Sequence, residues 1–334
     1  MTATRGTMVV SLDLELCWGR FDKLEISELE VDSDQERTQI KRLLSILDEY
    51  EIPTTWAVVG HLMLDGCGRS EDGAHSDVLP HAKYSWFQKD WFIYDPCTSA
   101  GRSPGWYAPD IVEWIRATRV RHEIASHSFA HIYYGDPECH VAVAQADLTA
   151  AIAAAGPKNI VLKSFVFPRN QVGHLEVLRD HGIRAFRGAD PSRFRKGKGV
   201  LVKTFNFLDQ LLGLPPQAVY AEQPIPGLWN IPGNHFFMAR NGIRRMIPMT
   251  SRVFKGKQGI RQAIQTGGVY HLWFHPFNLN ADSDKMLLGL ERIFSYARRM
   301  REQGLLDILT MDEYSTRLAA RDTERCSTAA TAFA

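Results

Sequence analysis

His127 and His131 stand four residues apart in Ser126-His127-Ser128-Phe129-Ala130-His131. On one face of a helical turn, that spacing lets both imidazoles reach a single metal ion. Glu123-Ile124-Ala125, just ahead of them, reads as strand, which places the pair at a strand end. Near the start of the chain, Met8-Val9-Val10-Ser11-Leu12-Asp13-Leu14-Glu15 is a second strand-like run ending in two carboxylates. Alternate residues of a strand share a face, so Asp13 and Glu15 point the same way. Two histidines and one carboxylate make an open metal site suited to hydrolysis. The nearby His122-Glu123 with His127 imitates a zinc-protease motif, but histidines five apart sit about 140° apart around a helix and do not converge.

Two more strand-like runs end in reactive groups. Phe165-Val166-Phe167-Pro168-Arg169-Asn170-Gln171-Val172-Gly173 presents Arg169, and Tyr270-His271-Leu272-Trp273-Phe274-His275-Pro276 presents His275. His271 lies four residues earlier in that strand, too deep to share a layer with His275.

In this order the four segments resemble the polysaccharide deacetylase family, the NodB-homology or carbohydrate esterase 4 type, from about Val9 to about Tyr314. His127 and His131 match its metal-binding His-[Ser/Thr]-x-x-His motif. The family's adjacent aspartates become Asp13-Leu14-Glu15, its Arg-x-Pro-x-Gly segment becomes Arg169 to Gly173 with Gln171 in place of proline, and its Asp-Trp pair is replaced at best by Asp190. The resemblance implies Glu15, His127 and His131 as metal ligands and Asp13 as base, with the roles of the two acids open to exchange. It also implies Arg169 as the partner that keeps Asp13 ionised, His275 as the acid that protonates the leaving amine, and the Val172 N–H as part of an oxyanion pocket.

The implied activity is removal of an N-acetyl group from an acetamido sugar, with one divalent metal ion. Zinc suits the ligands best, and cobalt, nickel, iron or manganese could occupy them. A catalytically inactive carbohydrate-binding barrel, and a deformylase or other amidase of the same family, are the alternatives.

These groups need a scaffold that brings distant strand ends together. Strand-like and helical periods alternate with short connections along most of the chain, which predicts a parallel sheet with crossover helices. The reactive residues fall at strand C-terminal ends, as in barrel active sites. The expected fold is α/β, a distorted, incomplete (β/α) barrel of about seven strands forming one domain over residues 1–325. Two segments interrupt the rhythm, at about 62–108 and 191–258. The first is rich in aromatics, including Trp86, Phe87, Trp91, Phe92, Tyr94, Trp106 and Tyr107. It reads either as a small apolar cluster over the barrel mouth or as a lid stacking on sugar rings, and Trp91, Tyr94 and His235 are the candidate substrate contacts. Residues 326–334 read as a disordered tail.

Composition narrows the function. The 334 residues carry a formal net charge of +1, which gives no electrostatic case for nucleic acid. The basic stretch Arg193 to Lys203 reads as a solvated loop. No apolar run is long enough to span a bilayer. Five scattered cysteines without an export signal are expected as free thiols in a cytoplasmic protein. Cys67 and Cys97 could ligate metal, but single scattered cysteines are more often packing residues, and His61, His75, His81, His140, His174 and His181 read as surface or satisfied polar groups.

Overall fold

The computed structural model describes residues 5–189 and 200–332. Asp190 and most of the basic stretch 193–203 lie outside them. Among the described residues there are twelve strands: β1 Gly6–Leu14, β2 Thr55–Val58, β3 Arg69–Ser70, β4 Gly73–Ala74, β5 Glu123–Ser126, β6 Ser164–Val166, β7 Ala185–Arg187, β8 Glu222–Ile225, β9 Leu228–Asn230, β10 His235–Phe236, β11 Val269–Phe274 and β12 Leu306–Leu309. Ten of them form one curled sheet in the order β10-β11-β1-β2-β5-β6-β7-β9-β8, with β12 against the first half of β1. Every pairing in it is parallel except β8 with β9. The sheet is a distorted, incomplete (β/α) barrel.

The strand β1 shows how the sequence sets the site. All nine of its residues are buried, as expected of a parallel strand covered on both faces. Met8, Val10, Leu12 and Leu14 enter the large core beneath the helices. Val9 turns inward with Ala57, Ala125, Val166, Ala185 and Val269. The small alanines leave the barrel interior narrow, and Met311 and Tyr314 of the helix Met311–Ala332 pack into it. On β11, Tyr270, Leu272 and Phe274 join the outer core, so His271 and Trp273 face inward and His275 follows on their side.

Helices Ile26–Tyr50, Pro109–Arg116, Val141–Ala155, Leu175–Asp180, Met249–Thr266 and Ser283–Glu302 provide the outer layer. Ile40, Leu43, Leu44 and Leu47 bury one stripe of the first, each such side chain contributing about 1.5–3 kcal/mol. That helix ends where Glu51 turns left-handed, its N–H returning to the Asp48 and Leu47 carbonyls.

Several local expectations change. The apolar run 160–167 reads as strand but forms one only over Ser164–Val166, the helical period at 259–266 is the end of the longer helix Met249–Thr266, and the strand-like run 228–237 splits into β9 and β10. Helix continues to Ala332 through most of the tail expected to be disordered, in keeping with its alanine content. No helix among the described residues is long and apolar enough to cross a membrane. Cys17, Cys67, Cys97 and Cys139 are free thiols.

Candidate active site

The C-terminal ends of β1, β5, β6, β7 and β11 meet at one mouth of the barrel. After Leu14 the chain turns sharply, with Leu16 at a φ of 47°, into a 3₁₀ turn over Leu16–Gly19. That turn folds Gly19 against Glu15, where a Cβ on residue 19 would lie 1.7 Å from Glu15 Oε2. Only glycine leaves room for the carboxylate.

Glu15 Oε1 lies 3.0 Å from His127 Nε2 and 3.1 Å from His131 Nε2. The histidines do not reach it from a helical turn, contrary to their spacing. Ser128 and His131 are left-handed, at φ 68° and 57°, and the segment is a loop. Asp147, on the helix Val141–Ala155, clamps it. Its Oδ1 accepts from the Ser128 hydroxyl and the Ala130 N–H, and its Oδ2 from the Phe129 N–H and the Tyr134 hydroxyl. The compact loop brings the two imidazole centroids within 5.1 Å.

The donor chemistry fits a divalent cation. His127 Nδ1 lies 2.7 Å from the Val166 carbonyl, which can only accept, so Nδ1 carries a proton and the neutral ring, the form that binds metal, turns its Nε2 lone pair toward Glu15. An imidazole lone pair and a carboxylate 3.0 Å apart repel unless a cation lies between them. Glu15, His127 and His131 form a metal-competent group, and Glu15 also belongs to a second group with Asp13 and His275.

Asp13 occupies a different environment. Arg187, at the end of β7, forks onto it with NH1–Oδ1 and NH2–Oδ2 both 2.6 Å. The guanidinium also donates to the Ser11 hydroxyl and the Asn170 side-chain oxygen and lies 4.2 Å over Trp273. Burial favours the neutral acid at Asp13, but Arg187, aided by His275, holds its carboxyl below the usual range. At Glu15 burial is likewise outweighed, here by His275 and His131, and the carboxyl lies well below its ordinary value.

His275 Nε2 sits 3.3 Å from Glu15 Oε1 and 3.6 Å from Asp13 Oδ2. Burial opposes its charged form, yet these carboxylates raise it above an ordinary imidazole. Its ring stacks on Phe277 at 4.6 Å, and Arg20 covers Phe277 at 4.2 Å. No carboxylate bonds its Nδ1, which lacks a hydrogen-bond partner. Glu36 is the nearby buried acid, with both oxygens unpartnered, and burial pushes it up to about 8.

Arg169 does not serve Asp13. It pairs with Asp22 at 3.1 Å and donates to the Gly19 carbonyl and the Tyr133 hydroxyl, tying the loop after β6 to the loop after β1. Its left-handed φ of 56° turns the side chain that way, and Arg187 fills the place expected for it. Arg187 is legible in the sequence only as a charged residue ending a short strand.

The proposed substrate contacts fare differently. Trp91 is buried with its indole N–H on the Ala130 carbonyl, so its faces are spent on protein. His235 is buried against the Tyr270 hydroxyl at 2.7 Å, away from solvent. Tyr94 is half-buried and bonded to Lys89, and Val172 is exposed. The aromatic insertion is mainly a packed cluster, in which Trp18 and Phe21 meet Trp91, Phe92 and Trp106. Trp86 is its exposed member, stacked on Tyr133 at 5.2 Å. His271 bonds Ser11 at 2.8 Å, a layer below the carboxylates, where burial lowers it to about 3.

No family model matches the chain, and no curated protein matches it. Solved structures do. A putative polysaccharide deacetylase from Mycobacterium smegmatis superposes with a TM-score of 0.63 at 14% identity, over 96% of this chain and 93% of that one. A probable polysaccharide deacetylase from Pseudomonas aeruginosa PAO1 gives 0.58 at 12%, over 93% and 89%. PuuE allantoinase gives 0.60 at 13%, over 96% and 92%. At such identities the likeness establishes the fold, which is that of NodB-like polysaccharide deacetylases.

Proposed function

We propose that this chain is a metal-dependent hydrolase that removes an N-acetyl group from an acetamido sugar. The observation that carries the reading is the convergence, at one barrel mouth, of a Glu-His-His group, an arginine-clamped aspartate and a histidine within 3.6 Å of both acids. A site built for binding alone has no use for a paired acid and base.

Glu15, His127 and His131 would hold the divalent ion, zinc suiting the set best. Such an ion supplies Lewis-acid polarisation of a carbonyl and acidifies water. Asp13 takes the proton from the attacking water, and Arg187 keeps it ionised and aimed. His275, whose charged form the two carboxylates favour, delivers a proton from Nε2 to the departing nitrogen. Acetate and a free amino sugar are the products. Trp86, exposed beside Tyr133, is the aromatic face best placed to receive a sugar ring. A nucleotide-linked or lipid-linked sugar, or a soluble polysaccharide precursor, is the substrate class.

The test is acetate release from free, nucleotide-linked and lipid-linked N-acetyl sugars by wild type, Asp13→Asn and His275→Ala. Release by wild type that collapses in both variants supports the proposal. Sugar binding without turnover favours a binding barrel, and ring opening of a small cyclic amide such as allantoin in its place favours a different amidase.

A further inference from the structure

The aromatic insertion carries a second cluster of metal-ligating side chains that the mechanism does not use. We propose that His61, Cys67, His75 and Asp95 form a closed, structural divalent-metal site, of the zinc type, that pins this insertion to the barrel.

The four donors come from four places in the chain: the turn Gly60–Met63 after β2, the loop before β3, the residue after β4, and the loop near Tyr94. Their donor atoms all lie within 4.8 Å of one another. His61 Nε2 is 2.9 Å from Asp95 Oδ2 and 2.9 Å from His75 Nε2, and His75 Nε2 is 2.8 Å from the same carboxylate oxygen. Cys67 Sγ completes the set at 3.3 Å from that oxygen.

Hydrogen-bond accounting shows why a cation belongs there. His61 Nδ1 lies 3.1 Å from the Trp106 carbonyl, which can only accept, so its Nε2 carries a lone pair. Asp95 Oδ1 is already committed to the Tyr107 hydroxyl at 2.6 Å and the Cys97 N–H at 3.0 Å, which leaves Oδ2 to face the cluster. Two neutral imidazoles therefore bring at most one proton to three mutually close basic atoms, and even with the Cys67 thiol donating to Asp95 Oδ2 the His61 lone pair and that oxygen, 2.9 Å apart, have no proton between them. The side chains of His61 and Asp95 have no solvent exposure and that of His75 only 7%, so water does not relieve the clash. A divalent ion satisfies all three lone pairs at once.

The donor set also selects the ion. Two imidazoles, a thiolate and a carboxylate suit tetrahedral zinc, with cobalt a close substitute. Four protein donors leave no position for substrate, the mark of a structural site. A surface cleft of roughly 290 Å³ lined by Cys67, Ser70 and His75 gives the ion a way in. The ligands span residues 61–95, so an ion there closes a long loop around the β3–β4 hairpin. The His61 N–H bonds the Phe129 carbonyl and the Gly60 N–H bonds the Ser128 carbonyl. The clip is thus anchored to the loop that carries His127 and His131.

Cobalt(II) titration of metal-free protein, followed by absorption, is the test. Wild type should show a sulfur-to-cobalt charge-transfer band, which a Glu-His-His site lacking sulfur does not produce. The band should persist in His127→Ala/His131→Ala and in Cys97→Ser, and vanish in Cys67→Ser. Zinc content should be two ions per chain in wild type and one in Cys67→Ser/His75→Ala. Absence of the band in wild type, or its persistence in Cys67→Ser, overturns the proposal whether or not the barrel-mouth site holds an ion. Because the first reading is made on wild type, it does not depend on a variant folding.

Discussion

Replacing Arg187 by methionine should cost far more stability than the same change at Arg169. Arg187 and Asp13 side chains are 1% and 3% exposed and share two 2.6 Å bonds. Removing one member of such a pair strands a buried charge, at a cost of about 3–5 kcal/mol. The side chain of Arg169 is 29% exposed and that of its partner Asp22 only 6%, but water can reach the vacated place and Asp22 keeps its bond from the Tyr133 hydroxyl, so the loss should cost about 1–2 kcal/mol. An unfolding entropy of about 2.1 cal/mol/K per residue gives about 0.7 kcal/mol/K for 334 residues. The expected falls in Tm are therefore ~4–7 °C for Arg187→Met and ~1–3 °C for Arg169→Met. Scanning calorimetry on metal-stripped protein separates this from lost metal binding. Adding Asp13→Asn to Arg187→Met should recover part of the loss, because the stranded charge goes with it. Equal Tm falls for the two arginine variants, or no recovery in the double variant, would refute the assignment of Arg187 as the clamp.

Three further outcomes are expected. Asp13→Asn and His275→Ala should each lower kcat for acetate release by about 10²–10⁴-fold with little change in metal content, measured by elemental analysis. Gly19→Ala should weaken metal binding at the barrel mouth by at least ~10-fold in a competition titration, since its Cβ displaces Glu15. Burial raises Glu123, at the far end of β5, from 4.5 to about 7, against the help of Ser164, Thr55 and the Asp312 N–H. A raised carboxyl favours the folded state below about pH 4.5, and that contribution should fade as pH climbs to about 7. The loss is on the order of 3 kcal/mol, and Glu123→Gln should flatten the profile of Tm against pH over that interval.

Much of the barrel and the first site is legible in the residues because the governing rules are local. The alternation of β1 puts Asp13 and Glu15 on one face, and strand ends gather at the mouth of any parallel sheet. Partner choice is not local. Arg169 follows a short strand and Arg187 ends one, and which of them reaches Asp13 depends on a left-handed backbone at Arg169 and on the packing of Trp273 beneath Arg187. The spacing of His127 and His131 suggests helix, whereas Asp147, sixteen residues beyond His131, bends the segment into a loop. The cluster of His61, Cys67, His75 and Asp95 has no motif spacing. Only the folding of the insertion brings it together, so the histidines taken singly read as surface or satisfied polar groups, and Cys67 as a lone ligand without partners or a packing residue. The aromatics of the insertion are ambiguous in the same way. A Trp on a long segment can serve a sugar or a core, and burial decides for the core at Trp91.

The central claim is that Glu15, His127 and His131 hold a divalent ion at the barrel mouth. Its most direct test is the difference in metal content between untagged wild type and His127→Ala/His131→Ala, both loaded with zinc and freed of excess. A difference of one ion per chain is expected, whatever the insertion binds. Equal metal content in the two proteins would contradict it.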